Sequence, residues 1–328
     1  MDKILITGAS GFVGSWMVQE ALDKGMTVYA GIRESSSKQY LQDSRINFFY
    51  INFLKPESYI DRLEKEQFDH IIHNAGVVRA LSNDTFYQVN TGFTVTFLKQ
   101  IKIALPDLNT FCYISSLAAC GSADMAGIEE ITPAMNPTPP THYGKSKLQA
   151  EEAVKASSLP YLIFRPTAVY GPRDQDILKL FKGVKVGIAP LIGTEKSILS
   201  FIYVKDLVRL IISANLSQIR NKTYVVSDGE DYIGNKFHKA VAQVMGKKAV
   251  YPKIPLAVVS VLGMLSEWKS RVTNKADTFN LDKVNELKAR NWRCNIIELE
   301  KDFNFAPYSS LTESLEETYQ WYQDKGWM

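Results

Sequence analysis

The sequence predicts an α/β fold, a doubly wound parallel sheet with a smaller C-terminal substrate-binding lobe, from three observations. Short β-branched or aromatic runs bounded by turn residues alternate with longer segments of helical period through the first half. A glycine-rich turn follows the first of these runs directly. Beyond Pro166 the alternation loosens, with no linker, repeat or low-complexity tract to mark an independent domain. Strand alternating with helix calls for parallel strands covered on both faces.

The predicted strands are Ile4–Thr7, Val28–Ile32, Ile46–Ile51, His70–His73, Phe111–Ser115 and Tyr161–Arg165. Helical periodicity fills the gaps at Phe12–Lys24, Glu57–Glu66, Phe86–Ile103 and Tyr143–Ala156. Further helices are expected at Ile177–Lys182, Val204–Asn215, Gly234–Met245, Pro255–Trp268, Asp282–Arg290 and Thr312–Asp324. Residues 1–166 thus read as a dinucleotide-binding core. Residues 167–328 read as mainly a substrate lobe that partly completes the core and is not an independent domain.

Composition narrows the class of protein. With 328 residues, 45% apolar, 22% charged and 11% aromatic, the chain is neither disordered, collagen-like nor a charged coiled coil. A net charge of +3 without a dense basic run gives no footprint for nucleic acid. Cys112, Cys120 and Cys294 have neither paired spacing nor a histidine nearby, so neither a disulfide scaffold nor a metal site is expected. The apolar stretch at the N-terminus is too short for a signal peptide, and a cytoplasmic location follows as the expectation. Ile254 to Leu265 contains Pro255 and Gly263 and is too short to cross a bilayer, although it could lie against a membrane surface.

Thr7-Gly8-Ala9-Ser10-Gly11-Phe12-Val13-Gly14 joins the first strand to the first helix. Such a turn lets the backbone approach a pyrophosphate, and the helix N-terminus offers free N–H groups and partial positive charge. The spacing G-x-x-G-x-x-G differs from the G-x-G-x-x-G fingerprint, and a plain tight turn is the alternative, but its place after the first strand favours a dinucleotide. About 20 residues on, an acidic side chain normally grips the ribose of NAD. Here Val28-Tyr29-Ala30-Gly31-Ile32 ends in Arg33, with Lys38 shortly after, and no carboxylate stands at the expected position. A guanidinium matches a 2′-phosphate in charge and geometry, so the expected cofactor is NADP, with NAD the alternative if Arg33 only tops a solvated loop beside Glu34.

Tyr143 and Lys147 stand at i and i+4 in Tyr143-Gly144-Lys145-Ser146-Lys147, on one helical face. A phenol of pKa ~10 is a poor acid or base near neutrality, and an adjacent ammonium stabilises its phenolate. Lys147 could also bond the nicotinamide ribose. The same spacing recurs at Tyr232 and Lys236, after the Asp228-Gly229 turn, where a structural tyrosine is expected. Ser115-Ser116 ends the fifth predicted strand, at the sheet edge where open α/β folds bind ligands, and Ser116 can donate to a substrate oxygen. A strand simply ending in two hydroxyls is the bland alternative. His142 beside Tyr143 could touch substrate, but a lone loop histidine is more often incidental.

These motifs, together with His73-Asn74-Ala75-Gly76, Asn90 in Val89-Asn90-Thr91-Gly92, and Arg165-Pro166-Thr167-Ala168-Val169-Tyr170-Gly171-Pro172-Arg173, resemble the extended short-chain dehydrogenase/reductases. Those enzymes form the NAD(P)-dependent epimerase/dehydratase superfamily, and the resemblance covers nearly the whole chain. It implies a Rossmann-type core, with Gly8, Ser10, Gly11, Phe12, Val13 and Gly14 at the pyrophosphate. It places Asn52 and Phe53 at the adenine, where the family often has an aspartate first, and Ala75, Gly76 and Val77 on the ribose side with Asn74 and Asn90. Pro166, Thr167 and Val169 would face the nicotinamide. Ser116 would orient the substrate carbonyl or alcohol, Tyr143 would transfer the proton, and Lys147 would bind ribose and tune Tyr143.

Two branches of that superfamily compete for the substrate. Nucleotide-sugar epimerases and dehydratases typically carry an asparagine where this chain has Ala168, and an arginine where it has Leu199. Losing both forfeits strong contacts to a diphosphate. Trp292-Arg293-Cys294, Phe305-Ala306-Pro307 and Thr318 to Trp327 resemble instead the 3β-hydroxysteroid dehydrogenase and dihydroflavonol reductase-like branch, although such aromatics also serve as core. The expected activity is therefore an NADP(H)-dependent oxidoreductase on a ketone or secondary alcohol of a small apolar substrate. The alternatives are a nucleotide-sugar epimerase or dehydratase and a non-catalytic NADP-binding sensor. A homodimer through paired helices is expected by analogy alone.

Overall fold

The computed structural model describes residues 2–124, 126–192, 197–261, 284–285 and 289–328. It divides the chain into two compact units. The first comprises Met1–Ala119, His142–Arg165 and Val208–Tyr224, and the second Cys120–Thr141, Pro166–Leu207 and Val225–Met328.

The first unit is built on a seven-stranded parallel sheet. Its strands are β1 (Lys3–Thr7), β2 (Thr27–Ile32), β3 (Asn47–Tyr50), β4 (His70–His73), β5 (Thr110–Ile114), β6 (Tyr161–Pro166) and, late in the chain, β11 (Lys222–Val226). They lie in the order β11-β6-β5-β4-β1-β2-β3. The chain runs outward from β1 to β3, then crosses back to β4. The order therefore reverses beside β1, the point where doubly wound sheets open a ligand crevice at the carboxyl ends of their strands. This is the Rossmann-type arrangement, and the six predicted strands are all present. β11 was not expected. Its first residue, Lys222, is exposed, and the strand is joined to β6 at its two ends by Asn221 N–H to Tyr161 O (2.6 Å) and Thr167 N–H to Val226 O (3.0 Å).

Burial explains why the strand runs are continuous. Leu5 faces a core cluster with Phe49, Ile71, Phe111 and Ile163 of the neighbouring strands. Over it pack Leu63 of α2 (Ile60–Glu66), Phe97 and Ile101 of α4 (Phe93–Ala104), and Ala150 and Val154 of α5 (His142–Ala156). Ile4 and Ile6 point to the opposite face and are equally buried, so both faces are covered. The first helix, α1 (Phe12–Asp23), packs against β1 and β2.

One predicted helix is interrupted. Where a single helix over 86–103 was expected, α3 (Asn83–Phe86) passes into a π-helical turn at Tyr87–Gly92 before α4 begins. Such turns concentrate at functional sites, and this one holds Asn90.

The second unit contains the two-stranded pairs β7 (Ala168–Tyr170) with β10 (Phe201–Tyr203), β8 (Leu191–Ile192) with β13 (Lys253–Ile254), and β9 (Ile198–Leu199) with β12 (Tyr232–Ile233). Its helices include α6 (Leu178–Lys185), α8 (Lys236–Val244), Ile297–Phe303 and Leu311–Asp324, while α7 (Val204–Leu216) runs from this unit into the first. Phe201 stacks on Phe237 at 3.9 Å, with Tyr170 and Tyr232 edge-on to Phe237. Tyr322 stacks on Trp327 and meets Phe181 of α6 edge-on at 5.3 Å, so these late aromatics are core. Ser310 and Glu313 cap the helix Leu311–Asp324 reciprocally. The helix expected at 255–268 is helical over 256–261, and that at 282–290 at 284–285; 262–268, 282–283 and 286–288 lie outside the described residues, and 255, 289 and 290 are not helical. No described helix is long and apolar enough to cross a membrane.

Candidate active site

The glycine turn is shaped by close approach. Gly8 has φ 67°, and a Cβ there would stand 2.9 Å from Ala75 N and from Asn74 O, at the end of β4. A Cβ on Gly14 would run into the Gly8 carbonyl. The first turn of α1 is thereby held against the loop, with Gly11 at the N-cap and Ser10, Phe12 and Val13 around it. Among the described residues no side chain caps this terminus, and no acid lies in its first turn, which leaves its N–H groups and partial positive charge for an anion.

At the end of β2, Arg33 is exposed, and its guanidinium has no partner among the described residues; only its backbone N–H is engaged, by Ser36 Oγ (3.2 Å). Lys38 lies on the outer face of β3, its Nζ 4.3 Å from the Phe48 ring centre and donating to Tyr50 Oη (2.9 Å). Asn52 is exposed, its Oδ1 accepting from Leu54 N–H, while Phe53 stacks on Phe93 at 5.6 Å and meets His73 edge-on.

The end of β4 is fixed by a buried relay. Ala75 N–H donates to Thr7 Oγ1 (3.2 Å), which lies 2.8 Å from His73 Nδ1; His73 Nε2 lies 3.0 Å from Thr94 Oγ1, and Thr94 donates to the Asn90 carbonyl (2.7 Å). Since Thr94 spends its proton on Asn90, His73 donates from Nε2 and accepts the Thr7 proton at Nδ1, as a neutral ring. Complete burial and the nearby Lys147 charge push the His73 pKa down to about 3. Asn90 in turn holds the segment past Gly76 by accepting from Val77 N–H (2.8 Å) and donating to Val77 O (3.1 Å). It also donates to Ser146 Oγ (3.0 Å) on α5.

α5 presents the predicted pair. His142 is its first residue rather than a loop residue, with Nδ1 2.9 Å from Tyr87 Oη of the π-helical turn. Tyr143 is partly buried beside Phe86. One turn on, buried Lys147 donates from Nζ to the Ile114 carbonyl at the end of β5 (2.6 Å) and sits 4.3 Å from the Tyr113 ring centre. Gly76 brings the β4 loop equally near, since a Cβ there would fall 3.9 Å from Lys147 Nζ. Burial lowers the Lys147 pKa to about 7, and Glu151 opposes that shift. Ser116 is partly exposed just past β5, its Oγ accepting from Ala118 N–H (3.2 Å), and α5 packs along the following turn, Leu117–Ala119.

Sequence reasoning missed the residues behind this pair. Glu151, one turn beyond Lys147, accepts from Ser115 Oγ (2.5 Å), Arg165 Nη2 (2.7 Å) and Arg165 Nε (3.0 Å). Its i+4 spacing from Lys147 was the available signal, whereas nothing in the sequence ties it to Arg165. Thr7, His73, Thr94 and Ser146 were likewise unassigned.

The competing pair differs. Tyr232 is buried and donates to Asp228 (2.6 Å), while Lys236 is exposed and paired with Glu230 (2.9 Å). Burial and the Asp228 charge raise the Tyr232 pKa, so its phenol resists ionisation. In the second unit, Pro166 and Thr167 are buried and Val169 is partly so; the buried Thr167 hydroxyl has no partner among the described residues. Cys112, Cys120 and Cys294 are buried, and burial holds the Cys112 thiol up at about 12.

Comparison with known proteins places these features in a family. The family model described as "NAD dependent epimerase/dehydratase family" matches residues 4–227. A ceramide reductase of Caulobacter vibrioides is 25% identical over 335 residues, covering 99% of this chain and 96% of that protein. A UDP-glucose 4-epimerase of Vibrio cholerae is 25% identical over 308 residues, covering 89% and 90%. The crystal structure of a dTDP-glucose 4,6-dehydratase from Bacillus anthracis in complex with NAD superposes with a TM-score of 0.79 at 18% identity, covering 99% and 97%, a likeness of fold. With its match running from β1 through β11, the chain belongs to the NAD dependent epimerase/dehydratase family and is an enzyme of the short-chain dehydrogenase type.

Proposed function

We propose that the protein is an NADP(H)-dependent oxidoreductase that interconverts a ketone and a secondary alcohol on a predominantly apolar substrate, with Ser116, Tyr143 and Lys147 as its catalytic residues. The observation that carries this reading is Lys147: a buried ammonium, fixed to the Ile114 carbonyl and one helical turn from Tyr143. The residues present fit a dinucleotide. The glycine turn leaves no room for side chains between β1 and the end of β4, and the uncapped α1 terminus suits a pyrophosphate. Gly76, Val77 and Asn90 would border the ribose next to Lys147, and Arg33 would take the 2′-phosphate.

When bound, the nicotinamide supplies or accepts the hydride. The protein's part is the proton and the orientation of the substrate. Tyr143 Oη moves a proton to or from the substrate oxygen, and Ser116 Oγ donates to the same oxygen. Lys147 stabilises the phenolate form of Tyr143. Residues 167–328 would contribute most substrate contacts, with Pro166, Thr167 and Val169 on the nicotinamide side.

An apolar substrate is supported by Leu199 and Ala168, which offer no polar group to a diphosphate, and by the similarity to a ceramide reductase over nearly both chains. The similarity to a UDP-glucose 4-epimerase favours a second reading, sugar epimerisation without net cofactor change. The test incubates the enzyme with NADPH or NADH and a panel of lipophilic ketones, and in parallel with UDP- and dTDP-sugars. Cofactor oxidation by a lipophilic ketone, faster with NADPH, supports the proposal. Epimer formation from a nucleotide sugar, with no activity on the ketones, replaces it with the second reading.

A further inference from the structure

Two helices of the second unit end side by side in the same kind of reversal. α6 closes at Gly187 (φ 84°) and α8 at Gly246 (φ 61°). Ile188 N–H bonds back to Gly183 O (2.9 Å), and Lys247 N–H to Ala242 O (3.0 Å), so each glycine terminates its helix with the last carbonyls satisfied. The chains leaving the two helices then pair. Val250 N–H donates to Gly187 O (2.9 Å) and Ala189 N–H to Val250 O (3.0 Å), bridging Ile188 to Val250 in parallel and leading into β8 and β13.

This juncture gathers one sign of charge. Residues 177–192 and 236–261 contain eight lysines and no aspartate or glutamate, in a chain whose net charge is only +3. Lys179 and Lys236, at the outer ends, pair with Asp176 and Glu230. Lys182 and Lys185 in the last turn of α6, and Lys247 and Lys248 just past α8, are exposed and have no ion pair among the described residues. A helix C-terminus by itself favours lysine. It gives no reason for branched aliphatics to face water, yet Val186 (74%), Ile188 (50%) and Val250 (63%), close to those lysines along the chain, do so.

We propose that this face docks on an anionic lipid bilayer, with Val186, Ile188 and Val250 entering the headgroup boundary and Lys182, Lys185, Lys247 and Lys248 lying against the lipid phosphates. An apolar centre inside a lysine rim suits a bilayer because long lysine stems bury their methylenes while the ammonium stays at the polar level. A second copy of the chain is disfavoured, since a two-fold contact through this face would set lysine against lysine. Nucleic acid is disfavoured because Phe181 and Phe237, the phenylalanines of these segments, are buried and the segments contain no arginine. Resting on the apolar substrate proposed above, docking there would bring the enzyme to the phase into which that substrate partitions.

Vesicle flotation tests it without any turnover measurement. The full chain is mixed at low salt with phosphatidylcholine vesicles, either alone or containing about one quarter phosphatidylglycerol, and the acidic mixture is repeated at about 0.5 M salt, where exposed charges are screened. Expected is flotation with the acidic vesicles only, reduced at high salt. Charge reversal by Lys182→Glu, Lys185→Glu, Lys247→Glu and Lys248→Glu together should weaken binding at least ~10-fold, and Val186→Ser with Ile188→Ser should weaken it at low salt, both with an unchanged melting transition. If the fourfold variant misfolds, Lys185→Glu alone and the salt series on the native chain still decide. No flotation, flotation indifferent to lipid charge, or equal flotation of the reversed variant overturns the proposal. So does duplex DNA binding at the same salt, or self-association in sedimentation velocity, that the same substitutions abolish.

Discussion

Arg165 grips both carboxylate oxygens of Glu151, with Nη2 2.7 Å from Oε2 and Nε 3.0 Å from Oε1, and neither side chain is more than 1% exposed. The pair joins β6 to α5 one turn beyond Lys147, and the Glu151 charge offsets part of what burial costs the ammonium. Breaking a buried pair leaves an uncompensated charge, whereas removing both partners does not. Glu151→Gln and Arg165→Met should each lower stability by roughly 3–5 kcal/mol. The double variant Glu151→Leu with Arg165→Met should lie nearer the native protein than either single change, as read by denaturant unfolding. Additive losses would show that the pair is not coupled.

Tyr143→Phe should retain cofactor binding and lose at least ~100-fold in turnover, the lower range for removing a general acid or base. Lys147→Ala should impair both, because the proposed mechanism has its buried ammonium serve cofactor and tyrosine together. Tyr232→Phe should leave turnover near normal, since that hydroxyl donates to Asp228. Steady-state kinetics beside calorimetric titration separates the three; equal losses at Tyr143 and Tyr232 would reverse the choice between the pairs.

Arg33→Ala should weaken NADP(H) at least ~10-fold while changing NAD(H) little, because a bidentate charge-assisted contact belongs to the 2′-phosphate alone. Titration of both cofactors into both proteins checks it, and equal affinities in the native enzyme would contradict the NADP assignment.

His73 ties stability to acid. The unfolded ring takes up a proton near pH ~6.5, but the folded ring does so only near its depressed pKa of about 3. Between those values the unfolded state binds more protons, so stability falls as the pH is lowered, by up to about 1.4 kcal/mol per unit from this ring. Above pH ~6.5 the contribution is constant. Subtracting the pH–stability curve of His73→Gln from that of the native protein isolates the slope. A flat difference between pH ~4 and ~6 would mean that His73 is protonated in the fold.

The strands and the glycine turn were legible because strands buried on both faces read as unbroken β-branched runs, and because Gly8 and Gly14 stand where backbone meets backbone. β11 was not, since Lys222-Thr223 opens polar and the strand's place depends on pairing with β6, about sixty residues earlier. The π-helical turn at Tyr87–Gly92 has no local sequence signature, so Asn90 was placed by resemblance while its bonds to Val77 and Ser146 were invisible. Tyr143, Lys147 and Ser116 could be named from spacing and strand end; the Glu151–Arg165 pair behind them joins a helix to a strand and has no local signature. The two-residue strands of the second unit are too short to carry a period at all.

Isotope transfer reads out both halves of the proposed chemistry, net redox turnover of an apolar substrate and proton transfer by Tyr143. With NADPH deuterated at the reactive C4 position and a lipophilic ketone, mass spectrometry should find one deuterium on the carbinol carbon of the alcohol product. The yield should fall at least ~100-fold with Tyr143→Phe while that variant still binds cofactor. Alcohol product without deuterium, equal yield from Tyr143→Phe, or conversion confined to a nucleotide sugar with no net change in cofactor would contradict the account.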